Sequence, residues 1–108
     1  MNATIEIGEP FSVNDVIDYS SQSVVSKTIL KLPSGNITLF SFDSGEGLSE
    51  HSSPHKAFVH IIDGSAEISI EGKPHNVKKG ESIILPANIP HALKANQAFK
   101  MILVMIKG

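Results

Sequence analysis

The chain of 108 residues contains no cysteine and no arginine, and all nine of its basic residues are lysines. Without thiols there is no disulfide, no thiolate metal site, no zinc ribbon and no cysteine nucleophile. Without arginine there is no planar guanidinium fork to clamp a carboxylate or phosphate through two bonds. Eleven acidic residues against nine lysines leave a net charge of −2, and the only basic concentration is Lys73, Lys78 and Lys79 around an expected turn. Nucleic-acid binding asks for a basic stripe with side chains that read bases, so no nucleic-acid partner is expected. No apolar run approaches the roughly 20 residues of a membrane helix; the longest covers residues 101–106. Residues 1–6 show no basic region followed by an apolar stretch, so neither a signal peptide nor a membrane anchor is expected. The expected location is cytoplasmic.

What is present is a 41% hydrophobic fraction, enough to drive one domain to fold. The whole chain, 1–108, reads as that domain, with a core over about 24–106 and a packing segment over 1–23. Short strands alternate with Gly, Pro, Asn and Asp. In 66–71 a period of two sets Ala66, Ile68 and Ile70 against Glu67, Ser69 and Glu71, the pattern of a half-buried strand. Asp63-Gly64 before it reads as a hairpin turn leading back from residues 58–62. Gly72-Lys73-Pro74 and Lys79-Gly80 read as further turns, the latter before a strand at 82–85. Upstream, strands are expected at 24–32 and 37–43, separated by the turn-forming Pro33-Ser34-Gly35-Asn36. Residues 12–17 can make one or two helical turns, with Ser12 and Asp15 as a capping box. No long helical period appears, which excludes a parallel Rossmann-type sheet and leaves no nucleotide cofactor expected.

The last strand, 99–106, is apolar on both faces: Met101, Leu103 and Met105 alternate with Ile102, Val104 and Ile106. Both faces must therefore be covered. One packs into the core; the other needs the N-terminal segment or a second subunit, and a homodimer is the expected solution.

Of five histidines, three lie in segments that look like site material. Residues 45–55 form a glycine-containing stretch that ends in His51 and His55. Residues 84–91 leave a strand, pass two prolines and present His91 as the next strand begins. Pro90 fixes its own φ and biases Ile89 toward an extended conformation, which aims His91 reproducibly. A preorganised imidazole serves equally as metal ligand, proton-transfer group or hydrogen-bonding group. In a straight strand His51 and His55 would lie roughly 13 Å apart, so they can share an ion only if Ser52-Ser53-Pro54 bends the chain. His60 alternates with Val59 and Ile61 and is expected to face away from the barrel centre, while His75 is expected on the surface.

At these two segments the chain resembles the cupin superfamily, specifically its small single-domain members. Gly45 and His51 match the family's first motif, and Gly64 falls thirteen residues beyond His51. Gly80, Pro86 and His91 match the second motif, with Asn88 in place of a glycine that needs a left-handed conformation Asn can also adopt. The resemblance, which runs from about Val24 to Ile106, implies an all-β double-stranded β-helix, or jelly roll, with a short helical or extended N-terminal segment. It also implies a divalent transition metal such as Zn, Fe, Ni or Mn, held by His51, His55 and His91. The family's second histidine falls on Ser53 and its glutamate on Ala57, so two of four usual ligands are absent and His55 is the available third. Glu50 is a candidate base, although its strand phase points elsewhere. Phe40, Phe42, Phe58 and Met101 are candidate pocket walls or plain core. The function implied is binding of a small organic ligand. The alternatives are a metal-dependent dioxygenase or isomerase acting on a keto acid, organic acid or sugar derivative, and a metal-free sensing or scaffold protein.

Overall fold

A computed structural model describes residues 4–107. Residues 1–3, where the reading of a leaderless start begins, and Gly108 lie outside the described residues. The described residues form one 3-10 turn, Val13–Asp15, and nine strands. These are β1 (Val24–Leu32), β2 (Gly35–Phe42), β3 (Gly47–His51), β4 (Lys56–Asp63), β5 (Ser65–Ile70), β6 (Lys73–Lys78), β7 (Ser82–Leu85), β8 (His91–Lys94) and β9 (Phe99–Ile106). They make two antiparallel sheets, ordered β1-β2-β9-β4-β7 and β3-β8-β5-β6, which is the jelly-roll arrangement. Among the described residues no helix is long and apolar enough to cross a membrane.

Alternation along the strands explains the core. Phe42, Val59, Ile61, Phe99 and Met101 from the five-stranded sheet meet Ala66, Ile68, Val77 and Leu93 from the other, all buried. The Phe42 and Phe99 rings stack with centroids 4.5 Å apart. Phe42 and Met101 are therefore core, and Phe40 packs against the same cluster on the inner face. Phe58 is not a pocket wall. It alternates with the buried Ala57 and Val59 and stands 40% exposed on the outside of the sheet.

Three local expectations change. Asp63-Gly64 does not close a hairpin, because β4 pairs with β7 and β9 while β5 pairs with β6 and β8. Both edges of β4 are occupied, so the chain turns a corner into the other sheet. Gly64 has φ +70°, and a Cβ there would collide with the Ala98 carbonyl oxygen. The hairpin between β5 and β6 turns on Glu71-Gly72, both with positive φ, as a two-residue hairpin turn of the type matched to strand twist requires. Pro74 belongs to β6 itself, an edge strand where a missing N–H is tolerated. The Ser12–Asp15 capping box does not form: the Ser12 side chain makes no cap bond, and its carbonyl accepts from the Asp15 N–H at 3.0 Å in a single 3-10 turn.

The N-terminal segment covers part of the outer face of the five-stranded sheet. Val16 and Ile17 pack on Leu39, with Ile5, Val13, Val25, Ile29 and Ile102 around them. Polar fasteners hold it there. The Ser41 hydroxyl donates to the Asp18 carbonyl at 2.9 Å, and the buried Lys100 ammonium donates to Asn14 O and Oδ1 at 3.0 and 2.9 Å. The Tyr19 hydroxyl donates to Asp63, and burial with that carboxylate beside it raises the phenol well above its ordinary pKa.

A candidate site at the barrel mouth

β3 and β8 are neighbours in the smaller sheet, and His51 and His91 are direct cross-strand partners. A register shift makes this possible. Leu48 faces Leu93 and His51 faces His91, so three steps along β3 match two along β8. Strict alternation would put His51 on the opposite face from Leu48. The extra residue at Ser49-Glu50 is a β-bulge, and it turns His51 to the same face as His91. The ring centroids stand 4.4 Å apart, edge to face. His91 is buried at 6% exposure, while His51 is exposed.

The loops that flank the pair are tied together. The Asn88 N–H donates to the Ser53 carbonyl at 2.7 Å, linking the loop after His51 to the loop before His91. Asn88 adopts φ +62°, the left-handed conformation expected of it at the glycine position of the second motif. Ser53, which stands where the family's second histidine falls, shapes the loop instead, its hydroxyl oxygen accepting the His55 N–H at 3.2 Å.

Both imidazoles are oriented by the carbonyl two residues earlier. His51 Nδ1 donates to Ser49 O at 2.8 Å and His91 Nδ1 to Ile89 O at 3.2 Å. A carbonyl only accepts, so each Nδ1 carries the proton and each neutral ring keeps a lone pair on Nε2. No buried side-chain nitrogen or oxygen among the described residues lacks a partner. The unbonded Nε2 of the otherwise buried His91 is therefore open to solvent. Burial lowers the pKa of His91, and repulsion from His51 lowers it further, against the opposing effect of its bond to Ile89. His91 is thus held as a neutral donor near pH 7.

Among the described residues no three His, Asp or Glu side chains converge to hold one ion. His55 lines a separate cleft of about 390 Å³ with Pro54, Lys56, Ala87 and Ile106. Glu50 lies exposed in the bulge. Ala57, at the family's glutamate position, is buried on the inner face, where its partners in the sheet are Leu85 and Met105. His60 faces outward and shares a 2.7 Å hydrogen bond with Ser82. His75 is half-buried and shares the face of Ile68 and Val77 on β6, so it is less exposed than its sequence setting suggests. The bulge was the feature that sequence reading missed; Ser49-Glu50 carries no local signal for it.

The two-sheet jelly roll with paired histidines on β3 and β8 is the architecture of a cupin. A family model for the cupin domain (Cupin_2) matches residues 38–107, and the chain belongs to that family. It is similar in structure to a conserved protein of unknown function from Streptococcus pyogenes, with 36% identity, a TM-score of 0.91, and coverage of 99% of this chain and 94% of that one. It is also similar to a cupin 2 conserved barrel domain protein from Leptotrichia buccalis, at 42% identity and a TM-score of 0.87, covering 90% of this chain and 47% of that one. A curated relative, Protein SchB of Streptomyces halstedii, is 29% identical over 51 residues, which span 46% of this chain and 37% of SchB.

Proposed function

We propose that this cupin binds a small organic acid at the mouth of its barrel, in company with a divalent transition ion held jointly by protein and ligand. The observation that carries the reading is the cross-strand pair of His51 and His91, each with Nδ1 anchored on a carbonyl and Nε2 free. Anchoring of this kind fixes the tautomer and orientation that metal-ligating imidazoles need. The residues fit an ion only in part. Two neutral nitrogens without a carboxylate make a weak set for a divalent ion, which ordinarily takes three or more protein ligands. A chelating acid supplies the missing oxygens and negative charge, so ion and acid are expected to bind together and poorly apart.

Calorimetry of tag-free protein with Zn(II), with oxalate, and with both tests this. Zn(II) and oxalate together are expected to bind at least about tenfold more tightly than either alone, a coupling of about 1.4 kcal/mol. His51→Ala and His91→Ala are each expected to abolish the coupling. Variants that bind Zn(II) and oxalate together as tightly as the wild type would refute the role of the pair. A second reading, a metal-free ligand-binding barrel, is favoured by the lack of a third converging ligand among the described residues. Oxalate affinity that is indifferent to Zn(II) but lost in the variants would select it.

A further inference from the structure

One strip of the inner face of the five-stranded sheet is polar. Phe42 and Phe40 of β2 belong to the core cluster, and β2 pairs with β9 without a register shift, so Thr38 and Asn36 share their face. Thr38 is buried and Asn36 half-buried. Asn36 pairs with Met105, and Met105 with Ala57, which places all three in one cross-strand row. On its other side Asn36 pairs with Lys31. The bulge between Thr28 and Leu30 brings this about: Leu30 faces Ile37 on the outer side, and Lys31 then faces Asn36 on the inner side.

This strip stands opposite the histidine pair. Short connections at 43–46, 64, 79–81 and 95–98 carry the chain from one sheet to the other, which lays β3 against β2 and β8 against β9. Followed away from those connections, β2 runs through Phe40 and Thr38 to Asn36, while β3 runs to His51 and β8 to His91. Asn36 and the pair therefore lie at the same open end, on facing sheets. A hydroxyl relay orients the amide. The Thr38 hydroxyl donates to Asn36 Oδ1 at 3.5 Å and, its one proton used, accepts from the Thr28 hydroxyl at 3.2 Å. Asn36 Nδ2 keeps two N–H donors with no partner among the described residues, where no buried nitrogen is left unsatisfied, so water reaches it. Lys31 is exposed, and its ammonium is likewise unpaired among the described residues.

We infer that this strip selects the ligand of the histidine pair, and that the ligand is a short dicarboxylic acid. One carboxylate, with a neighbouring hydroxyl or carbonyl oxygen, completes the shell of the ion; the second accepts from Asn36 Nδ2 and pairs with Lys31. The inference rests on the reading of the pair as a joint site for ion and acid, and it adds which acid. An apolar far end would strip Nδ2 of water without giving it an acceptor, and sites of that kind reject such analogues. A carboxylate suits the strip better than a hydroxyl, because the row from Lys31 through Asn36, Met105 and Ala57 to Leu85 holds a cation and no acidic side chain. Facing sheets pack about 10 Å apart, which suits an acid of about four carbons rather than a long chain.

Calorimetry with Zn(II) and malate, set against Zn(II) and 2-hydroxybutyrate, tests the proposal. The two acids share chain length and chelating end and differ in the second carboxylate. The wild type is expected to bind malate about 10- to 100-fold more tightly, the range of a hydrogen bond to a charged group. That ratio is expected to fall at least about tenfold in Asn36→Leu and about threefold in Lys31→Met, whose ion pair is exposed to water. A wild type that couples Zn(II) to oxalate yet binds malate and 2-hydroxybutyrate equally overturns the strip alone; absence of the oxalate coupling overturns the joint site and the strip with it. A malate preference that persists in Asn36→Leu also overturns the proposal, since the second carboxylate then acts by chelating the ion. Should Asn36→Leu lose its β circular dichroism, the isosteric Asn36→Asp decides. A carboxylate at position 36 repels the second carboxylate of malate, so the preference is expected to vanish, and a preference retained there overturns the proposal.

Discussion

The two ends of the barrel use the same strands for different purposes. Toward the corner at Gly64 the sheets are filled by Phe42, Phe99, Ile61, Ala66 and Met101, none more than 1% exposed. Toward the other end the inner positions hold His51, His91 and the small Ala57, and two crossing loops replace ring stacking. One end uses close packing to stabilise the fold, and that packing leaves no room to bind. The other end gives up some apolar burial to keep two nitrogens accessible. The proposed site lies at the end with less apolar burial.

The sharpest way to break this contrast is Phe99→Ala. Loss of a fully buried ring that stacks on Phe42 is expected to cost about 3–5 kcal/mol, read as the shift in urea midpoint. His51→Ala at the mouth should change the same midpoint by less than about 1 kcal/mol. Comparable losses at the two ends would erase the distinction.

Ala57→Glu sharpens the comparison from the other side. It introduces a carboxylate at a buried inner position of the open end, so the variant without metal should be less stable than the wild type. Added Zn(II) is expected to raise its melting temperature and to bind at least about tenfold more tightly than to the wild type, about 1.4 kcal/mol. A melting temperature indifferent to Zn(II) would show that position 57 does not address the histidine pair.

The smallest effect concerns pH. His91 has a folded pKa below its ordinary value near 6.5, so between those two values the unfolded chain binds more protons than the folded one. Stability from this group is therefore complete above about pH 6.5 and is lost as the pH falls from there through the lowered folded value. The contribution of His91 Nε2 to binding should persist below pH 6.5 and fail as that lower value is passed. Urea midpoints and oxalate–Zn(II) affinity from pH 5 to 8 check both, with His91→Gln expected to flatten the stability profile.

Much of the architecture was legible. Strands expected at 24–32, 82–85 and 99–106 form there, and alternation marked the one at 66–70. His91 was legible as an aimed side chain because Pro90 is local information, whereas His51 was legible as a candidate without its direction. Asp63-Gly64 misled because a corner between sheets and a hairpin use the same residue chemistry; only the occupied edges of β4 separate them. The inner placement of Phe40 and the outward placement of Phe58 likewise follow from which neighbours each strand acquires.

By itself the amino-acid order determined an all-β chain, the spans of most strands, two histidine-bearing loops and a last strand too apolar to leave bare. Tertiary structure decided which strands pair and, through one surplus residue in β3, on which face residue 51 presents its ring. The physical reason is that side-chain alternation is a property of a single strand, whereas register and bulges exist only between two. The facing of the His51 and His91 rings depends on the second kind of information.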